Sequence, residues 1–249
     1  RSPETVSLLG DPAGLVPPVR DELVTRMLAA ADRQESAEEA FLAVRKVRAR
    51  ELVRVVLGDL VGSWTGEQVR GALTDVTDAY LEGALEVARQ RVLARRGEEP
   101  AVALLVVGMG RLGGRELGYA SDADVMYVFD PLPGADPDLA AEQAGEIFTE
   151  LRKGLSGAGP DPVLELDAGL RPEGRNGPLV RSLESYRTYY ERWSAGWESQ
   201  ALLRARPVAG SSDLGRRFCE LVEPLRWPPG GISEAAVHEI RRLKARMEA

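Results

Sequence analysis

The hydrophobic pattern of the chain changes at residue 101, and this change limits the possible fold more than any other feature. The segment AVALLVVG at 101–108 is a continuous apolar run, which is typical of a strand buried on both faces. A second apolar segment, ADVMYVF at 123–129, follows a stretch rich in glycine. Outside this part, the apolar residues recur at helical spacing. The pattern predicts a small sheet between two helical regions.

Capping signals mark the helices that precede the sheet. Ser36 and Glu39 have the spacing of a capping box, Thr65 can open a second long helix, and Gly97 can end it. The proline-rich N-terminus reads as a linker or extended arm. We therefore predict an arm at 1–18, a helical region at 19–97, an α/β core at 98–181 and a second helical region at 182–249.

The predicted fold class is α+β, with a small mixed β-sheet core of the nucleotidyltransferase type flanked by N-terminal and C-terminal helical regions. The predicted elements after the first helical region are strands at 101–108, 123–129 and 162–170, a crossover helix at 139–155, and helices at 182–192, 196–206, 212–225 and 233–249. Because the last helix has no stop signal before residue 249, we expect the chain to be truncated from a longer one.

Composition excludes several classes of function. The chain has one cysteine, Cys219, and one histidine, His238, so a zinc site of Cys and His ligands cannot be assembled. A net charge of -7 argues against a nucleic-acid surface. No apolar run approaches the ~20 residues of a membrane-spanning helix. With no possible internal disulfide and no signal pattern, the expected location is cytoplasmic.

After these exclusions, glycines and carboxylates are the residues left that could form a binding or catalytic site, and they occur together in the sequence. The stretch GMGRLGGRELGYASDAD at 108–124 is neither a GxGxxG fingerprint nor a P-loop. Its glycines alone fit a tight turn as well as a phosphate cradle. If Gly114 acts in such a cradle, it serves close approach of the ligand or an unusual φ.

The nearby acids favour a phosphate cradle over a simple tight turn. Asp122 and Asp124 share one face of a strand because they are two residues apart, and their like charges repel. Asp167 ends another apolar stretch, with Glu165 on the same face. A divalent metal such as magnesium removes the repulsion and also binds phosphates. The alternative is a solvated turn whose aspartates cap helices.

This constellation resembles the nucleotidyltransferase superfamily related to DNA polymerase β. It is more closely similar to the glutamine synthetase adenylyltransferase family, through residues 108–129, LELDAGLRPEGRNGPLVRSLESYRTYYERWSAGWESQALLRARPVAG at 164–210 and EIRRLKARME at 239–248. The resemblance implies two Mg²⁺ ions and ATP as substrate, with Asp122, Asp124 and Asp167 as catalytic metal ligands. It implies an ATP site formed by Gly113, Gly114, Ser121, Arg111, Arg171, Arg204 and Arg206, with Arg175 also facing the triphosphate.

The family has two homologous nucleotidyltransferase domains, one adenylylating and one adenylyl-removing. Gly113-Gly114 and WESQALLRAR at 197–206 resemble the adenylylating type. Two departures are Arg111, where the family usually has lysine, and Gly169, where it usually has arginine.

The implied reaction transfers AMP from ATP to a tyrosine hydroxyl of glutamine synthetase, with the PII signalling protein as a partner of the full-length enzyme. Alternatives are the adenylyl-removing domain, acting by phosphorolysis, and a nucleotide-binding regulatory module. The acidic charge disfavours a template-directed polymerase.

Overall fold

The structure is a computed structural model. It describes residues 15–16, 18–62, 64–157, 162–193, 196–228, 230–231, 237–238, 241–242 and 245. Most of the predicted arm at 1–18 and of the predicted helix at 233–249 lies outside these residues. Within the described residues, no helix is both long and apolar enough to cross a membrane.

The described residues contain eight α-helices and five strands. The helices are α1 (Arg20–Ala31), α2 (Ala37–Leu60), α3 (Gly66–Arg96), α4 (Gly110–Gly113), α5 (Pro137–Leu155), α6 (Leu183–Trp193), α7 (Gly196–Leu202) and α8 (Ser212–Arg226). The strands are β1 (Val102–Gly108), β2 (Ala123–Pro131), β3 (Leu166–Asp167), β4 (Val180–Ser182) and β5 (Arg206–Gly210). This mixed α/β arrangement confirms the predicted fold class.

The predicted capping signals are confirmed. Ser36 accepts a hydrogen bond from the Glu39 N–H, and the Glu39 carboxylate accepts one from the Ser36 N–H, so a complete capping box begins α2. Thr65 begins α3 with the same arrangement. Gly97 ends α3 with φ 64°, the left-handed conformation that glycine adopts without strain.

The sheet is mixed and open. Its order is β3-β2-β1-β5, with β4 also pairing with β2. Strand β1 is antiparallel to both β2 and β5. Strand β2 pairs in parallel first with β3 and then, further along, with β4. Two chain segments that are distant in sequence therefore meet the start and the middle of β2 on the same side.

Two hydrophobic cores lie on opposite faces of the sheet. Leu104 and Val106 of β1 pack in one core with the N-terminal helices and α5. Leu105 and Val107, the intervening residues, pack in the other core with residues of α6 and α8. Since alternate residues of a strand point to opposite faces, this arrangement confirms that β1 is buried on both sides.

Two of the elements predicted after residue 160 had wrong boundaries, and two strands there were missed. The strand predicted at 162–170 is reduced to β3, Leu166–Asp167, and the helix predicted at 196–206 ends at Leu202. Strands β4 and β5 were not predicted. Both are short, and β5 (RPVAG) contains proline and glycine, which carry weak strand signals. Their definition comes from pairing with β2 and β1, which local sequence does not record.

Candidate active site

The glycine-rich stretch folds into a tight turn directly after β1. The N–H of Gly113 donates to the Met109 carbonyl at 2.7 Å, and the N–H of Gly114 donates to the Gly110 carbonyl at 3.1 Å. Both N–H groups are therefore used within the turn. We call residues 110–115 the glycine turn.

Each glycine of the turn meets a different constraint. Gly110 has φ 48°, and a Cβ there would overlap the Asp124 carboxylate. At Gly113 a Cβ would overlap the Arg204 carbonyl oxygen, so backbone packing requires glycine. Gly114 has an ordinary φ of -76°, so of the two reasons considered for glycine at this position, close approach of the ligand is the one that stays a prediction. Positive φ occurs instead at Gly110 and Arg115.

The three predicted acids converge on the edge of the sheet beside this turn. Asp124 of β2 and Asp167 of β3 are direct partners in the parallel register, and Asp122 immediately precedes β2. Partial burial, followed by the negative charges of Asp122 and Asp167, raises the pKa of Asp124, while Arg111 opposes the shift. The raised pKa indicates that a neighbouring cation would stabilise this group.

Two of the carboxylates nevertheless have contacts of their own. Asp122 Oδ1 lies 3.4 Å from Arg111 Nη2. Asp167 Oδ1 accepts a hydrogen bond from the Gly169 N–H at 2.7 Å, and its Oδ2 lies 3.8 Å from Arg175 Nη2. Across the described ranges, no three acidic, histidine or cysteine side chains are gathered as a ready-made metal site. The three acids therefore lie at the same edge of the sheet, but their side chains are not gathered around one metal position.

Gly169, the departure from the family's arginine, has a local reason. A Cβ at this position would lie 2.9 Å from Asp167 Oδ1, the oxygen that the Gly169 N–H binds. Glycine therefore lets the backbone approach the carboxylate closely. The hydrogen bond holds Asp167 on its own loop.

A charged cleft of about 460 Å³ opens at this edge, within the size range of small-ligand sites. Acids and arginines line it together. The lining residues are Asp122, Arg152, Glu165, Leu166, Asp167, Ala168, Arg171, Arg175 and Leu179. Arg152, which lies in the last turn of α5, was not predicted as a site residue. The only signal was a basic pair at the end of that helix.

Arg171 reaches the cleft as a buried charge. Only 9% of the residue is exposed. Its guanidinium donates hydrogen bonds to four backbone carbonyls of its own loop, those of Ala168, Arg175, Gly177 and Pro178. The loop is thus folded around a cation, because a buried charge is tolerated only when its hydrogen bonds are satisfied.

Six of the seven residues predicted to form the ATP site lie outside the cleft lining, as does the predicted metal ligand Asp124. Three of these six, Ser121, Arg204 and Arg206, are bound to other groups. Ser121 Oγ accepts a hydrogen bond from the Gly118 N–H at 2.8 Å. Arg204 forms an ion pair with Glu116 at 2.7 Å. Arg206 contacts a buried aspartate of α3 and carbonyls of the glycine turn. The structure brings Asp122, Asp167 and Arg171 to the cleft, and engages these three residues elsewhere.

The fold and the cleft define an α+β protein whose acids and arginines face each other at the edge of a mixed sheet. The chain belongs to the glutamate-ammonia ligase adenylyltransferase family, whose model matches residues 1–221.

Similar proteins come from several bacteria. The chain is 49% identical over 264 residues to a Streptomyces coelicolor protein, with all of this chain and 26% of that protein covered. It is 45% identical to a Nocardia farcinica protein (100% and 25% covered). It is 49% identical to one from Mycobacterium tuberculosis strain H37Rv (90% and 22% covered). All three are named bifunctional glutamine synthetase adenylyltransferase/adenylyl-removing enzyme. The chain spans about a quarter of the length of these curated relatives.

Proposed function

We propose that this chain transfers AMP from ATP to a tyrosine hydroxyl of glutamine synthetase and releases pyrophosphate. The observation that carries the proposal is the direct pairing of Asp124 with Asp167, next to a cleft that Asp122 and Asp167 line together with arginines. A nucleotidyl transfer needs this combination, because negative charge must be stabilised on both the phosphates and the leaving group.

The three aspartates suit magnesium chemically. Carboxylate oxygens are the hard ligands that Mg²⁺ prefers, and it commonly shares them with substrate phosphates. Two bound ions would polarise the phosphoryl oxygens and assist loss of the tyrosine proton. Asp122, Asp124 and Asp167 would hold them. The present contacts of Asp122 with Arg111 and of Asp167 with the Gly169 N–H would compete with metal binding.

The arginines of the cleft suit a triphosphate. Arg152, Arg171 and Arg175 line the same space as Asp122 and Asp167. Arginine binds phosphate oxygens through paired N–H groups. Because the guanidinium of Arg171 already donates to backbone carbonyls, it contributes positive charge more than new hydrogen bonds. Arg175 is free to turn, since its side chain is 85% exposed.

We propose that the other residues assigned to the ATP site act on the nucleotide from a greater distance. Arg111 would supply charge next to Asp122. Gly113 and Gly114 would shape the backbone that the phosphates approach, rather than donate their own N–H groups. Ser121, Arg204 and Arg206 would support the loops around the site.

The adenylylating direction is proposed on sequence. Gly113-Gly114 and WESQALLRAR at 197–206 resemble the adenylylating domain of the family. Glutamine synthetase as the protein substrate and the PII signalling protein as a regulator of the longer protein are part of the same proposal. The names of the relatives support the first of these.

Two incubations test the proposal. The purified chain is mixed with α-labelled ATP, Mg²⁺ and unmodified glutamine synthetase, and separately with adenylylated glutamine synthetase and phosphate. We expect label on the synthetase and pyrophosphate release in the first. ADP formation in the second alone would assign the reverse activity. If neither incubation gives a reaction and Mg²⁺ does not change the affinity for ATP, the regulatory module is the alternative that is supported.

A further inference from the structure

Three acids on one face of α3 contact the glycine turn and the edge strand β5. Asp75, Asp78 and Glu82 are spaced by three and four residues, so they project from the same side of the helix. Asp75 pairs with Arg115 at 2.9 Å, Asp78 pairs with Arg206 at 2.6 Å, and Glu82 accepts a hydrogen bond from a β5 backbone N–H at 3.0 Å. We call this row the α3 acids.

Two of the three acids act on the glycine turn. Arg206 uses both terminal nitrogens on Asp78, at 2.6 and 3.2 Å, and also donates to the carbonyls of Leu112 and Gly113 at 3.0 and 3.2 Å. Asp78 is completely buried. One guanidinium therefore joins the helical region to the end of α4.

The contact with Asp75 holds the other end of the turn. Arg115 follows the glycine pair with φ 58°, a conformation that residues with a Cβ rarely adopt. Such strain persists only where surrounding contacts enforce it. The ion pair between Arg115 and Asp75 is one such contact.

The glycine turn, held by the contacts of Asp75 and Asp78, lies against the edge of the sheet that carries Asp124. Gly110 lies against the Asp124 carboxylate so closely that no Cβ fits between them. The N–H of Met109 donates to the Asp124 backbone carbonyl at 2.8 Å. A shift of the turn would therefore be felt at Asp124, which pairs with Asp167.

We propose that Asp75 and Asp78 are positioning residues that fix the glycine turn against Asp124, so that the helical region is a working part of the nucleotide site. This inference rests on the proposed function. Neither residue belongs to a motif that the sequence analysis singled out. Their role follows from the packing of α3 against the turn and the start of β5.

Glu82 supplies a matched control. It lies one turn further along α3, accepts a hydrogen bond from the Gly210 N–H of β5 at 3.0 Å and pairs with Arg20 of α1 at 3.3 Å. It makes no contact with the glycine turn among those described. Loss of its charge should weaken the packing of α3 without moving the turn.

The first measurement is hydrogen exchange of residues 108–118 in the intact chain. We expect Asp78→Asn to speed exchange there at least tenfold and Asp75→Asn about threefold, while Glu82→Gln stays within twofold of wild type. Arg206→Lys keeps a charge for Asp78 but loses the planar fork that reaches both carbonyls. It should resemble Asp78→Asn and covers the case in which that variant folds poorly. Thermal melts verify that each protein is folded at the assay temperature.

The second measurement is the Kd of a non-hydrolysable ATP analogue with MgCl₂. We expect about a tenfold rise in Asp78→Asn and Arg206→Lys, and less than twofold in Glu82→Gln. Equal exchange or equal affinity in Asp78→Asn and Glu82→Gln would overturn the positioning role. If wild type binds no analogue while the exchange difference is present, the nucleotide reaction falls and the control of the turn by α3 is supported.

Discussion

Two adjacent glycines, Gly113 and Gly114, should differ strongly in how much stability they lose when the same methyl group is added. At Gly113 an alanine Cβ would lie 2.5 Å from the Gly108 carbonyl oxygen and would overlap that of Arg204. Both obstacles are backbone atoms, which cannot rotate away. At Gly114 the nearest atoms are the Gly110 carbonyl oxygen at 3.3 Å and the flexible Arg204 side chain at 3.4 Å.

The structure sets the size of the two effects. Gly113→Ala must separate the glycine turn from the segment before β5, and overpacking of this kind costs about 3 kcal/mol or more. For a chain of this length, that lowers Tm by roughly 6–12 °C. Gly114→Ala has a compatible φ of -76° and loses less entropy on folding than glycine does. Its stability should stay within about 1 kcal/mol of wild type.

Urea unfolding and thermal melts of the two variants and wild type, at one pH and without nucleotide, measure the difference. Magnesium–nucleotide binding should survive in Gly114→Ala. A Gly113→Ala protein as stable as wild type would refute the packing account of this glycine. A Gly114→Ala protein that loses as much stability as Gly113→Ala would refute it equally.

Three further predictions concern charged groups. Asp124→Asn should lower adenylylation roughly 100-fold or more and leave the metal-free Tm unchanged or higher, since a repelled carboxylate is removed; near-normal turnover would contradict its role as a metal ligand. Arg171→Met should cost about 3 kcal/mol in urea unfolding, because several backbone carbonyls lose a charged donor, whereas Arg187→Met, on an exposed pair, should cost under about 0.5 kcal/mol; equal losses would contradict the role of Arg171 in holding its loop. Burial raises the pKa of Asp78 above 3.8, so its contribution to the free energy of unfolding is greatest below pH 3.8 and falls as pH rises through the folded-state pKa. In urea unfolding across acidic pH, Asp78→Asn should remove this fall. Parallel pH profiles of the variant and wild type would contradict a raised pKa of Asp78.

Local signals in the sequence were sufficient for the first half of the chain. Ser36, Thr65 and Gly97 mark helix ends through hydrogen bonds within a few residues, so the sequence records them directly. The apolar runs of β1 and β2 predicted strands buried on both faces, because burial requires apolar residues at every position. The spacing of Asp122 and Asp124 also placed both acids at the mouth of β2.

Contacts between distant segments required the tertiary structure. The short strands β4 and β5 are defined by their partners, so their sequences carry little strand signal. Gly113 is a glycine because the Arg204 carbonyl, far along the chain, occupies the space of a Cβ. The family resemblance implies Arg206 in the ATP site, and nothing in its local sequence indicates that it also pairs with Asp78, 128 residues away. The sequence by itself determined which residue types were available for chemistry and where helices could start and stop. Only the packing of α3 against β5 and the glycine turn decided that Arg206 pairs with Asp78 and does not line the cleft, because a buried carboxylate needs a cation that the fold brings to it.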